Sequence, residues 1–348
     1  MFNIKNIFRL IIPSVFILYF LIIISVTNLY GAENKTINDK LNIPELNPVN
    51  FLPDKSEVPN VFLRTIKNLS SLLDLHTNSN DPFPCPRDEL KSLTPLQNAN
   101  ERGLRDDAWF LSGIIHDICG NYREANEAYT KSLGLRRRNK NLLFLAGVVK
   151  FRLESYVQGK NLLNEAEWLE FKKPHLIKYI LGLESLQNGK MEEAIKYFDS
   201  SLKSKENFLP SMMEGYLIRK NMRSNVTSQS QASKLDAELS HIMVQLNRLD
   251  SGNREMAIEY LRYLLLTGDP LTSPTKLIEG ENLASTWIKR SKEPDDDILL
   301  MKVQILEKRG KKKDAYEQIL EREEIGTPLS AALQLKKAQF AEHLENIE

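Results

Sequence analysis

One spacing constrains this chain more than any other feature. Gly113 is followed at offsets of seven, twelve and sixteen by Gly120, Ala125 and Tyr129. Gly182 leads in the same way to Gly189, Ala194 and Phe198. Gly147 leads to Glu154, Gly159 and Leu163, and the three starting glycines lie 34 and 35 residues apart. A small residue, a turn residue, a second small residue and a large one, in this order, suit two short antiparallel helices used three times. Glycine inside a helix costs up to ~1 kcal/mol against alanine. A helix accepts that where another backbone must come close. The spacing therefore predicts that Gly113, Gly147 and Gly182 face Ala125, Gly159 and Ala194 of the following helices. Gly120 and Gly189 fall in the turns, where glycine can take positive φ. Three unrelated amphipathic pairs would have no reason to share these offsets.

The composition fits an all-α reading. Hydrophobic residues are 42% and charged residues 27% of 348, ordinary globular usage, and β-branched alternation is sparse. The net charge of +1 gives no general attraction to nucleic acid, which is not expected as a partner. Cys85 and Cys119 are the only cysteines. Two do not make a disulfide framework or a zinc site. The favoured reading is a buried helix thiol at Cys119 and a loop thiol at Cys85; pairing stays open in an oxidising compartment.

The period and the residues at each offset resemble the tetratricopeptide repeat, or TPR. Trp109, Ser112-Gly113, His116, Ala125 and Tyr129 stand where that family favours W, LG, Y, A and F. The resemblance implies an αα-superhelix, a right-handed solenoid of helix pairs. Regular repeats are expected over 106–222, the fourth beginning near Phe208 with Gly215 in the small position. Residues 223–231 are polar and read as an exposed loop. Divergent repeats and a C-terminal capping helix are expected over 232–348. One such unit is read from Gln245, Gly252, Ala257 and Leu261, and a last one from Val303, Gly310, Ala315 and Ile319. The final helix is expected over 328–346, opened by Thr327-Pro328. Gly182→Leu is expected to damage the fold more than Ser185→Leu, at a position the family tolerates better.

Ahead of the repeats, Lys5 and Arg9 precede an uncharged apolar run from Leu10 to Val26, and the uncharged stretch continues to Ala32. Residues 1–32 therefore read as a signal peptide or a signal-anchor transmembrane helix, with a lean toward the uncleaved anchor. The basic end stays inside, which sends the rest outward. The chain is expected to be exported to the cell envelope or periplasm, held at the cytoplasmic membrane through residues 10–32 if these are uncleaved, or soluble outside the cytoplasm if they are cleaved. Residues 33–60 carry Pro44, Pro48, Pro53 and Pro59 among polar residues and read as an extended tether. Residues 61–105 read as an irregular helical cap, with Phe62, Ile66, Leu69, Leu72 and Leu73 on one face of its first helix.

No chemistry emerges. The five histidines have no second ligand at helical spacing, and no P-loop, dinucleotide or GxSxG pattern occurs. No catalytic residue, metal or cofactor is expected. Asp295-Asp296-Asp297 reads as the acidic start of a helix. Arg136, Arg137, Arg138 and Lys140 read as a solvated basic loop.

The resemblance also implies a binding face, because first helices line the concave side of TPR arrays. It would comprise Phe110, Ile114, Phe144, Val148, Phe151, Arg152, Tyr179, Leu183, Met212 and Tyr216, with a protein or peptide as partner. These residues are equally readable as packing against the cap or the C-terminal helices. The function implied is a non-enzymatic scaffold or adaptor for protein–protein interaction in the envelope. The alternative is an accessory subunit that positions a substrate for an envelope enzyme, or for a polysaccharide or secretion system.

Overall fold

The computed structural model describes residues 36–345, apart from 55, 77–83, 137 and 251. All regular structure among the described residues is helical. The signal or anchor helix expected over 1–32 lies outside them. No helix among the described residues is long and apolar enough to cross a membrane. The chain divides into two compact units, one ending at Lys172 and the other starting at Lys173.

The first unit opens with a short helix, α1 (Ile37–Lys40), and 3-10 turns at Pro44–Leu46, Pro48–Phe51 and Asn60–Phe62. Helices α2 (Leu63–His76) and α3 (Arg87–Leu93) follow, with Phe62, Ile66 and Leu69 buried as their spacing predicts. Two helix pairs come next: α4 (Arg102–Ile118) with α5 (Tyr122–Leu135), then α6 (Lys140–Arg152) with α7 (Tyr156–Trp168). The turn residues behave as expected. Gly120 has φ 72°, and Glu154, at the same place in the next pair, is forced to φ 58°.

The glycine contacts differ from the expectation. A Cβ on Gly113 would lie 2.4 Å from the Tyr129 ring, and one on Gly147 would lie 2.8 Å from Leu163 Cδ2. Gly113 and Gly182 thus receive the large residue at offset sixteen and not the small residue at twelve, whereas Gly147 meets both, Leu163 at sixteen and, as expected, Gly159 at twelve. The side chain of the second helix lies across the notch, so the bare Cα accommodates a side chain rather than a backbone. Backbone-to-backbone approach occurs between Gly147 and Gly159, where each carbonyl oxygen stands within 3.3 Å of the other's would-be Cβ.

Two further expectations fail in this unit. Cys85 and Cys119 form a disulfide, with Cα atoms 4.9 Å apart, that ties the segment before α3 to the end of α4. Residues 36–60 are also no loose tether: Leu41, Leu46, Val49 and Phe51 are buried. Their apolar spacing matches no helix or strand because the backbone runs in proline-started 3-10 turns.

The second unit begins with α8 (Pro174–Gln187) and α9 (Met191–Ser204). Here a Cβ on Gly182 would meet the Phe198 ring at 2.6 Å, and Gly189 turns at φ 72°. The loop expected over 223–231 is mostly helix: α10 spans Leu209–Asn225 and α11 spans Gln229–Leu249. Polar residues suffice there because the two helices are joined by charge. Arg223 donates to Asp236, and the buried Arg219 donates to Glu238 and Asp199.

Next come α12 (Arg254–Thr267), α13 (Pro274–Arg290), α14 (Asp296–Lys308), α15 (Lys312–Glu323) and α16 (Ala331–Glu345). The unit read from Gln245 is out of phase. Its α12 packs against both α13 and α14 through Ala257, Leu261, Leu277, Ala284, Ile298 and Ile305, the behaviour of a first helix. The residue at the glycine position is Leu261, followed at seven and sixteen by Gly268 and Leu277. The last pair is as read: Val303, Ala315 and Ile319 are buried and Gly310 has φ 79°. Asp295 caps α14, accepting from the Ile298 amide. The final helix starts at Ala331 rather than at Pro328, because the Arg322 guanidinium holds the Thr327 and Pro328 carbonyls and Asp296 takes the Ser330 amide.

Candidate partner-binding face

The ten residues assigned to the face all lie on first helices: Phe110 and Ile114 on α4, Phe144, Val148, Phe151 and Arg152 on α6, Tyr179 and Leu183 on α8, Met212 and Tyr216 on α10. The chain itself covers nearly all of this surface. Nine are buried, and Arg152 is half-buried.

In the first unit the cover is residues 36–54. The Phe51 ring meets Phe144 at 4.9 Å between centroids, and Phe144 stacks on Phe171 at 4.4 Å. The array also reads the main chain of this strap. Arg152 donates from Nη2 to the Leu41 carbonyl at 3.1 Å and from Nη1 to Asn42 Oδ1 at 2.9 Å. Asn38 Nδ2 donates to the Arg152 carbonyl, and Asn141 Nδ2 to the Phe51 carbonyl, each at 3.3 Å. The Arg152 guanidinium lies 5.0 Å from the Tyr122 ring centre and donates to its hydroxyl. Phe151 points elsewhere: its ring fills the space over Gly159 and meets Tyr156 edge-on, within the α6–α7 pair.

Beneath the strap sits a buried polar cluster. Burial pushes the Asp117 carboxyl up to about 7, against the pull of the Arg152 charge and of the neighbouring Tyr129 hydroxyl. That hydroxyl makes no well-directed hydrogen bond. Asp117 Oδ2, Tyr129 Oη, Arg152 Nε and Asn38 Oδ1 are all buried without a protein partner. A second acidic pair is fully used: Ser132 donates to Asp106 at 2.5 Å, and Arg136 bridges Asp106 and Asp107. Two residues of the basic segment are therefore tied down, Arg136 by these carboxylates and Lys140 by donating to the Glu170 carbonyl.

In the second unit the face is closed by its own neighbours. Tyr179 meets Phe208 edge-on at 5.5 Å and Phe198 at 6.0 Å. Met212 and Tyr216 join Met243, Leu246, Met256 and Tyr260 in one cluster. Glu259 receives Lys220 at 2.5 Å and Arg262 at 2.8 Å. Burial alone would raise this carboxyl, but the two cations hold it below its ordinary value. An open cleft of ≈ 540 Å³ lies over α11, α12 and α13, lined by Asn247, Tyr260, Glu279, Asn282 and Trp287 among others. Among the described residues no cluster of His, Cys, Asp or Glu could hold a metal ion.

Phe144 and Arg152, assigned to the face from the sequence, lie on the surface that meets residues 36–54. Sequence reasoning missed Leu41, Asn42, Phe51, Asn141 and Phe171, which complete it. The one signal available was a set of large apolar side chains inside a segment otherwise rich in proline and polar residues.

The tetratricopeptide repeat family profile matches residues 106–139 and 177–208. No curated protein matches the sequence. Among solved structures, a tetratricopeptide repeat protein from Parabacteroides merdae aligns over 81% of this chain and 100% of its own, at 15% identity and a TM-score of 0.39. YrrB, described as a TPR protein with an unusual peptide-binding site, aligns over 66% of this chain and 97% of its own, at 13% identity and a TM-score of 0.40. The Pseudomonas aeruginosa protein pilF aligns over 70% of this chain and 99% of its own, at 14% identity and a TM-score of 0.40. The two profile matches coincide with the α4–α5 and α8–α9 pairs, whose glycine notches and positive-φ turns are described above: these two pairs are tetratricopeptide repeats.

Proposed function

We propose that this chain is a non-enzymatic scaffold that holds partner proteins in the cell envelope. The observation that carries the reading is the succession of antiparallel helix pairs within each unit, an architecture whose use is to present surfaces to other proteins. The Cys85–Cys119 bond supports export, since such bonds persist in oxidising compartments. The apolar run from Leu10 to Val26 supports the same placement. Capture by the full-length chain from an envelope extract tests the scaffold reading. Stoichiometric recovery of defined proteins is expected. Recovery of nothing above a control with scrambled surface charges would sink it. The location has a separate test: a reporter active only outside the cytoplasm, fused after Lys40, is expected to be active, and cytoplasmic activity alone would reverse the topology.

A further inference from the structure

We propose that the α4–α6 face is a binding site for a proline-containing protein segment that runs in short turns, held shut in this chain by its own residues 38–51. The inference rests on the scaffold reading and names the partner class and the regulation of one of its faces.

Three observations carry it. The array holds the strap as it would hold a ligand, with Arg152 and Asn141 donating to the main-chain carbonyls of Leu41 and Phe51. Neither bond requires a particular strap side chain, so another segment of the same shape can make both. The strap also brings no regular backbone pairing. It runs in proline-started turns and attaches through separate anchors, chiefly Leu41, Leu46, Val49 and Phe51. The fit is also incomplete where it matters most. Arg152 Nε is buried without a protein partner, and the strap's own Asn38 Oδ1 finds no donor. Buried polar groups are ordinarily paired, so a segment supplying the missing acceptor gains a contact that the strap does not make.

The strap defines what such a partner presents. It needs an aliphatic residue for the Leu41 seat and an aromatic one, ten positions later, for the slot beside Phe144 and Phe171. Prolines between them start short 3-10 turns, as Pro44 and Pro48 do here. A tethered segment competes at an effective concentration on the order of millimolar. The partner's apparent affinity is lowered by the closed fraction of the site, so the face admits only a segment that binds better than the strap.

The test uses the full chain with a protease site inserted between Ser56 and Glu57, two exposed turn residues. The probe is a fluorescent synthetic peptide of residues 36–54. After cleavage the protein is expected to keep its cooperative melt and to take up the probe at micromolar concentration. The uncleaved chain is expected to take it up at least ~100-fold more weakly, because the tethered strap competes. Arg152→Ala in the cleaved protein is expected to weaken uptake about tenfold, by removing charge-assisted bonds to the strap. Loss of the cooperative melt on cleavage would show that the strap is core, and would overturn the proposal. So would a folded, cleaved protein that takes up no probe, or uptake indifferent to Arg152. The scaffold reading is judged by capture of other proteins, not by the probe, so either can fail while the other stands.

Discussion

The notch at Gly182 gives the sharpest test of how the repeats are held together. An added Cβ would stand 2.6 Å from Phe198 Cε1 and 2.9 Å from Cδ1 and Cζ. Carbon atoms in contact prefer about 3.5–4.0 Å, so the ring must retreat by roughly 1 Å. Phe198 is fully buried and cannot swing into solvent. Overpacking of this kind costs about 1–3 kcal/mol. Gly182→Ala also gains up to ~1 kcal/mol of helix propensity, which masks part of the cost. Gly134→Ala removes that ambiguity. Gly134 is helical, exposed and has nothing within 4 Å of its would-be Cβ, so it keeps the propensity gain alone. The difference between the two variants isolates the clash. It should be about 1–3 kcal/mol in urea unfolding, or roughly 2–12 °C in midpoint for units of this size. In the double variant Gly182→Ala with Phe198→Leu, the smaller side chain leaves room for the methyl. The two changes should then be less damaging together than their sum by about 1 kcal/mol. Equal stabilities for Gly182→Ala and Gly134→Ala, or strict additivity with Phe198→Leu, would refute the ring-over-glycine account.

Other consequences can be measured on the same material. Glu154→Gly should stabilise by about 1 kcal/mol in thermal unfolding, since φ 58° is strained for any side chain with a Cβ. Breaking the Cys85–Cys119 bond closes off a constraint over 34 residues, so Cys85→Ser with Cys119→Ser should cost about 3–4 kcal/mol; a melt unchanged by reductant in the wild-type chain would refute it. Arg322→Ala should cost about 3 kcal/mol or more and loosen α16, because it strands the carbonyls of Thr327 and Pro328 and the Asp296 carboxylate; amide exchange over α16 reads the effect. Asp117 is raised to about 7 from 3.8, and Asp107 to about 6, so the folded state binds more protons than the unfolded one between these values. Their contribution to stability is complete below about pH 4 and is lost as the pH rises to 7. Asp117→Asn should flatten that slope, and an unchanged slope would remove Asp117 from the account.

The repeats were legible because their constraint is local and periodic. The offsets seven and sixteen fix a turn and a contact within one helix pair, and both are visible without knowing what lies opposite. The partner of the glycine was not legible. Ala125 and Tyr129 sit one helical turn apart on the same face, and only the crossing geometry decides which of them lies over Gly113. The family's tolerance at the Ser185 position says nothing of its surroundings here, where it is fully buried, so Ser185→Leu is no neutral control. The phase error at Gln245 shows how the periodic signal fades. Once Leu261 replaces glycine, nothing in a single sequence marks which helix of α11 and α12 begins a pair.

The strap marks the limit of this kind of reading. Its buried aliphatic and aromatic residues fall at 41, 46, 49 and 51, intervals of five, three and two. A helix or a strand announces itself because its own backbone repeats, so the buried side recurs at 3.6 or 2 residues. A segment that lies along a groove has no repeat of its own. Its buried positions are set by the seats beneath it: Arg152 and Tyr122 at one end, Phe144 and Phe171 at the other. Polar residues and Pro44 then fill positions that face water while Pro48 is buried, and the composition as a whole is that of a linker. The same composition therefore describes a free tether and a bound ligand, and what separates them is a complementary surface elsewhere in the chain. Large apolar residues in such a stretch, with an arginine and an aromatic pair unaccounted for on a repeat array, are the combination that should prompt the second reading.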